Sequence, residues 1–207
     1  MPLQSLYLEH SVKSSIPKKP ISPRKRDPEL KTALILKAAT ELFAAQGYDN
    51  TPTAQIAENA NVSEGALFHQ FPTKRDLFFR LANDYGQECA AAVMPDEPSK
   101  TTPESIVRAA FAFAEKNPEL FRFFSTVGPR LDQHDETPMG NAIVAVIRKR
   151  IELSVANCKV RPCNPQIMAE LQYGIVLQAY KAWRKEGTSS NQEEYILEAA
   201  SLMNISN

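Results

Sequence analysis

The side chains able to carry chemistry are few and scattered. The three histidines, His10, His69 and His134, and the three cysteines, Cys89, Cys158 and Cys163, stand at no metal-ligand spacing to one another. His134 sits with Asp132, Asp135 and Glu136 in the stretch LDQHDETPMG, a composition that suits a catalytic or metal cluster and equally an ordinary polar loop between helices. Cys158 and Cys163 flank Arg161 and Pro162, and such a pair of loop thiols is either inert or a redox switch. Only 7 glycines occur, and they form no phosphate-cradling loop. No catalytic residue, metal site or cofactor is therefore assigned, and the chain is not expected to be an enzyme.

A different chemistry is legible from Thr51 to Phe79, TPTAQIAENANVSEGALFHQFPTKRDLFF. Thr51 and Pro52 form a helix start, with the hydroxyl as cap and proline where no hydrogen bond is lost. Asn61 tolerates the left-handed conformation that ends this helix. Ser63 caps a second helix that must stop before Pro72. Two short helices around a tight turn form a helix-turn-helix unit, whose second helix enters the DNA major groove by its N-terminal end. Ser63, Glu64, Gly65, Ala66 and His69 lie on or near its exposed side. Gly65 and Ala66 leave room to approach base edges, and the free amides of the first turn favour phosphate. Ile56, Ala57, Val62, Leu67 and Phe71 are spaced to point inward and fix the angle between the two helices.

Gly47, Tyr48 and Thr51, Ile56 and Ala57, Val62 and Ser63, then Gly65, Leu67, Phe71, Lys74 and Leu77 together resemble the TetR family of bacterial transcription regulators, over residues 28–81. The resemblance implies that the exposed residues after Val62 read bases, while Thr51, Phe68, Gln70 and Lys74 hold the DNA backbone. It also implies a homodimer on a palindromic operator, a repressor in the commonest case, and a body that binds a small-molecule effector. Four positions depart from the family pattern. Asn61 replaces the usual glycine but still permits the turn, whereas Phe68 replaces the common tyrosine and has no hydroxyl for phosphate. Gln70 can still donate through its amide. Glu64 would be repelled by phosphates unless it accepts from a cytosine amino group, and it could equally be a favourable charge on the first turn of its helix.

These residues need elements to position them. Residues 1–27 carry Lys18, Lys19, Arg24, Lys25 and Arg26 among Pro17, Pro20 and Pro23, with too little apolar surface to fold alone. They are either a solvated tail or a basic arm whose Arg24, Lys25 and Arg26 lie along phosphates or in the minor groove. From Pro28 to Gly47, Leu30, Leu34, Ile35, Ala38, Leu42 and Phe43 recur at helical spacing, with Asp27 as the expected cap. Thr73 and Asp76 have capping-box spacing for a connecting helix that reaches about Met94, before Pro95. The polar stretch 95–102 marks the boundary to a body spanning 95–207.

In that body Thr102 and Pro103 start a helix that ends at Asn117, and a short helix with Leu120, Phe121, Phe123 and Phe124 follows. Gly128 and Pro129 are expected to open a loop of about ten residues. Further helices run from Met139 to Ala156, from Asn164 and Pro165 to Gly187, and onward from Asn191. The expected fold is thus all-α with about nine helices: a three-helix helix-turn-helix head, a connecting helix, and a helical ligand-binding and dimerisation body. The last two helices, apolar over wide faces, suit pairing with a second copy or closure of the monomer's own core. Phe111, Phe121, Phe124, Tyr173, Tyr180 and Trp183 are candidates to line an apolar effector pocket.

Composition sets outer bounds. The 207 residues hold 24 basic and 24 acidic side chains, which argues against a surface coated all over with nucleic acid. No run approaches a membrane span and no secretion-signal layout opens the chain, so no membrane partner and a cytoplasmic, DNA-associated location are expected. An odd number of cysteines fits a reducing compartment. The competing reading is a helical ligand-binding or protein-interaction module whose helical hairpin no longer touches DNA, for which Glu64 and Phe68 speak.

Overall fold

The computed structural model describes residues 28–94, 101–131, 138–157, 160–187 and 191–204, and every regular element among them is an α-helix. Nine helices are described: α1 (Pro28–Gln46), α2 (Thr53–Asn59), α3 (Glu64–Gln70), α4 (Lys74–Val93), α5 (Pro103–Lys116), α6 (Pro118–Leu131), α7 (Pro138–Ala156), α8 (Pro165–Glu186) and α9 (Gln192–Leu202). The chain divides after Leu81 into two compact units. Arg24, Lys25, Arg26, Asp27, His134 with its acidic neighbours, and Cys158 lie outside the described residues.

In the first unit α1 buries Ile35, Leu36, Ala39, Leu42 and Phe43. It ends at Gly47, whose φ of 81° is open to glycine and costly for most other residues, with the Gly47 amide donating to Phe43 O at 3.0 Å. Helix α2 begins one residue later than the sequence suggested. Pro52 stands extended at the N-cap with no side-chain cap bond, and Thr51 instead turns back to donate from Oγ1 to Gly47 O at 2.7 Å. That bond satisfies a carbonyl left free at the end of α1.

The turn between α2 and α3 rests on Asn61, the residue with φ of 53°, and the Val62 amide reaches Ala57 O at 3.0 Å. Ser63 caps α3 by accepting from the Ala66 amide at 3.2 Å. Ile56, Ala57, Leu67 and Phe71 are buried, while Val62 is only half-buried. Thr73 and Asp76 close the expected box: Asp76 Oδ2 accepts from the Thr73 amide at 3.0 Å, and the Asp76 amide donates to Thr73 Oγ1 at 3.0 Å. Tyr48 wedges between Phe43 and Phe78, with ring centroids 5.4 and 5.5 Å away.

The second unit is a bundle in which α7 packs along α8, and α9 lies against α5 and α8. Thr102 and Ser105 cap α5 reciprocally, Asn164 caps α8 through the amides of Gln166 and Ile167, and Gly187 ends α8 at φ 91°. Buried Gln172 ties three helices: its Oε1 accepts from Arg150 Nη2 at 2.7 Å and its Nε2 donates to Met203 O at 3.0 Å. One expectation fails here. Helix α6 does not stop at Gly128 but runs through Pro129 to Leu131. Proline lacks the amide that would bond to Ser125 O, and Lys181 Nζ takes that carbonyl at 3.4 Å, which offsets the loss.

Candidate nucleic-acid interface

The tip of α3 stands outside the core. Leu67 is fully buried beneath it, so the helix is anchored by one side and presents the other. Ser63, Glu64, Gly65, Phe68 and His69 are exposed, and Ala66 and Gln70 are half-buried. At Gly65 the protein itself has no use for a missing side chain: a Cβ built there would meet only Ser63 Oγ, at 4.0 Å. Phe68 is 42% exposed, an apolar ring on a polar surface. Gln70 is oriented from α1, because Thr32 Oγ1 lies 3.3 Å from its Oε1 and 2.9 Å from Pro28 O. One hydroxyl proton serves the shorter bond first, so Gln70 is held weakly and keeps its amide donors.

Two residues that the resemblance placed on the DNA backbone are engaged within the head. Thr51 is fully buried, and its hydroxyl is held between Gly47 O and Gln46 Nε2. Lys74 Nζ donates to Tyr48 O at 2.9 Å and Thr51 O at 3.0 Å, and lies 4.4 Å from the Tyr48 ring centroid. Lys74 thereby fastens the first residue of α4 to the loop that ends α1. Burial, with Asp49 adding to it, raises the Tyr48 hydroxyl above its ordinary range, so the ring meets the ammonium as a neutral phenol. Arg75, which the sequence reading passed over, lies with its guanidinium 4.7 Å above the Phe79 ring.

In the second unit a cavity of about 490 Å³ of atom-free space, its mouth included, opens among α4, α5, α6, α7 and α8. Phe111, Phe121, Tyr173 and Tyr180 line it, as the aromatic count suggested. Phe124 and Trp183 do not. Phe124 packs on Tyr85 at 5.0 Å, and Trp183 backs the wall 5.9 Å behind Phe111. Aliphatic side chains missed by a search for aromatics complete the lining, among them Val93, Ile106, Ile143 and Ile147, together with Cys89. Burial pushes the Cys89 thiol up to about 12, so it stays protonated. Groups of three or more side chains fit to hold a metal ion are absent among the described residues, and no described helix is long and apolar enough to cross a membrane.

Residues 35–81 match the family model described as bacterial regulatory proteins, tetR family. Over 170 residues the chain is 27% identical to an uncharacterized HTH-type transcriptional regulator, YhgD, of Bacillus subtilis, covering 77% of this chain and 87% of that protein. It is 30% identical over 159 residues to the HTH-type transcriptional regulator HbdR of an Aromatoleum species, covering 72% of this chain and 66% of that one. Among solved structures, one assigned to the tetR family from Shewanella sp. PV-4 superposes with a TM-score of 0.66 at 27% identity, over 84% of this chain and 95% of its own.

Proposed function

Because this chain belongs to the TetR family of bacterial regulatory proteins, whose members are DNA-binding transcription regulators rather than enzymes, we propose that it acts as a homodimeric repressor on a palindromic operator. The observation that carries the reading is the α3 tip: an exposed helix end capped by Ser63, with Gly65 bare of side chain and free of any packing reason to be so. A helix end of that shape can lie close to base edges. Ser63, Glu64, Ala66 and His69 are the proposed base-facing side chains, and Gln70 the proposed phosphate donor. Thr51 and Lys74 act through position, holding the start of α4 against the loop after α1.

Two copies are needed because one head reads too short a site, whereas two heads about one helical turn apart read both halves of a palindrome. Support for pairing comes from α8 and α9, where Ile167, Leu171, Leu197 and Leu202 are exposed. Ile167, Leu171 and Gly174 share one stripe of α8, and open space surrounds Gly174, which suits close approach by a partner helix. The second unit is then a dimerisation and effector unit, and its cavity is the effector site. A ligand that prefers the conformation with misplaced heads lowers operator affinity by that preference and no more. A cytoplasmic location follows from this activity.

The second reading, a helical module that no longer binds DNA, draws on charge. Residues 28–81 contain five basic and six acidic side chains, whereas residues 1–27 contain six basic and two acidic ones. The cations that a polyanion requires are concentrated ahead of the head, and on the regulator reading Arg24, Lys25 and Arg26 are the proposed phosphate contacts. Selection of duplexes from a random pool by the full-length protein tests the choice. Enrichment of a palindrome with salt-dependent affinity supports the regulator, and absence of binding even at low salt supports the module.

A further inference from the structure

We propose that the cavity of the second unit takes an uncharged, hydrocarbon-rich small molecule and discriminates against the corresponding carboxylate. The proposal rests on the effector reading above and narrows it to a ligand class. The walls present no polar surface: Val93, Ile106, Ile143, Ile147, Val176 and Leu177 supply hydrocarbon from α4, α5, α7 and α8. On the Tyr180 side the polar groups bordering the site are already matched to one another. Tyr180, a wall residue, donates its hydroxyl to Glu115 Oε1 at 2.6 Å, and that same oxygen lies 3.5 Å from Arg184 Nη1. The guanidinium on this side thus has its counter-charge in place, and the carboxylate beside it repels a second one.

Cys89 adds no charge, since its buried thiol stays protonated well beyond neutral pH. An ionised head group entering these walls loses its hydration and gains no counter-ion. A carboxyl group ordinarily ionises near pH 4, so entering protonated at pH 7.5 costs on the order of a thousandfold in affinity. An alcohol or hydrocarbon of the same length bears a far smaller cost.

The test titrates the full-length protein at pH 7.5 with 1-decanol below its solubility limit and, separately, with sodium decanoate below micelle formation. Readouts are the Tm and the fluorescence of Trp183, the single tryptophan of the chain, which lies 5.8 Å from Tyr180 and 5.9 Å from Phe111. We expect a saturable response to decanol and a response to decanoate at least tenfold weaker. Filling the cavity by Val176→Phe, or by the smaller Ala110→Leu should the first variant fold poorly, abolishes the decanol response. Leu177→Lys, which sets a cation in the wall, raises decanoate affinity relative to decanol at least tenfold. Decanoate binding as tightly as decanol, with both lost in Val176→Phe, overturns the ligand class and leaves the effector cavity standing. No saturable response to any alcohol from hexanol to dodecanol, or one that survives both filling variants, overturns the proposal together with the cavity reading.

Discussion

Replacing Gly65 with alanine separates what the protein needs at that position from what a partner needs. Gly65 is the second residue of α3, its φ is not in the left-handed region, and the nearest heavy atom to an added Cβ is Ser63 Oγ at 4.0 Å. The methyl therefore meets no steric resistance within the chain. Alanine also loses less backbone freedom on folding than glycine, so G65A should raise stability by about 0.5 to 1 kcal/mol. Urea unfolding measures that gain. On DNA the sign reverses, because a methyl at the point of closest approach disturbs contacts worth about 1–3 kcal/mol each. Operator affinity, read by fluorescence anisotropy on a selected duplex at fixed salt, should fall about 5- to 150-fold. A more stable protein with undiminished affinity would refute the argument that the bare position serves DNA. A less stable protein would refute the geometry itself.

Four further outcomes follow from the same contacts. Lys74→Met removes two charge-assisted bonds to Tyr48 O and Thr51 O, so stability should fall by about 1–3 kcal/mol in denaturant melts, whereas a lysine serving DNA alone would leave it unchanged. Leu171→Glu, at a position 57% exposed in one copy, should leave the fold intact and shift the species seen by light scattering from dimer to monomer, with cooperative operator binding lost. Deletion of residues 1–26 should flatten the dependence of log affinity on log salt by roughly 0.9 per phosphate contact removed. Cys89 keeps its proton to about pH 12 when folded, while the unfolded thiol releases it near 9, so the folded state binds more protons between these values and stability falls as pH rises through that window. At pH 10.5 Cys89→Val should escape about 2 kcal/mol of the loss that the parent protein suffers relative to pH 8.

Local chemistry made the architecture legible. The Ser63 cap, the left-handed Asn61, the Thr73 and Asp76 box, and the Asn164 and Asn191 starts are each decided by residues within four of one another, and each appears in the structure. What the sequence hid depends on partners far along the chain. Thr51 reads as a helix cap until its hydroxyl finds Gly47 O. Nothing near Lys74, expected at the DNA backbone, marks the carbonyls 23 and 26 residues away that it meets. Pro129 signals a helix end because its rescuer, Lys181, sits 56 residues from the carbonyl it bonds. The cavity follows the same logic: aromatic residues attracted notice, but aliphatic side chains of four helices close it, and no local pattern marks Cys89 or Ile147 as neighbours.

Mapping the backbone amides of the full-length protein by NMR, with and without a duplex enriched from the random pool, tests the central reading most directly. At 150 mM salt the largest shifts should fall on Ser63 to Gln70, with a smaller set at the start of α4. Shifts confined to the second unit, or a pattern at Ser63 to Gln70 that a scrambled duplex reproduces in full, would contradict it.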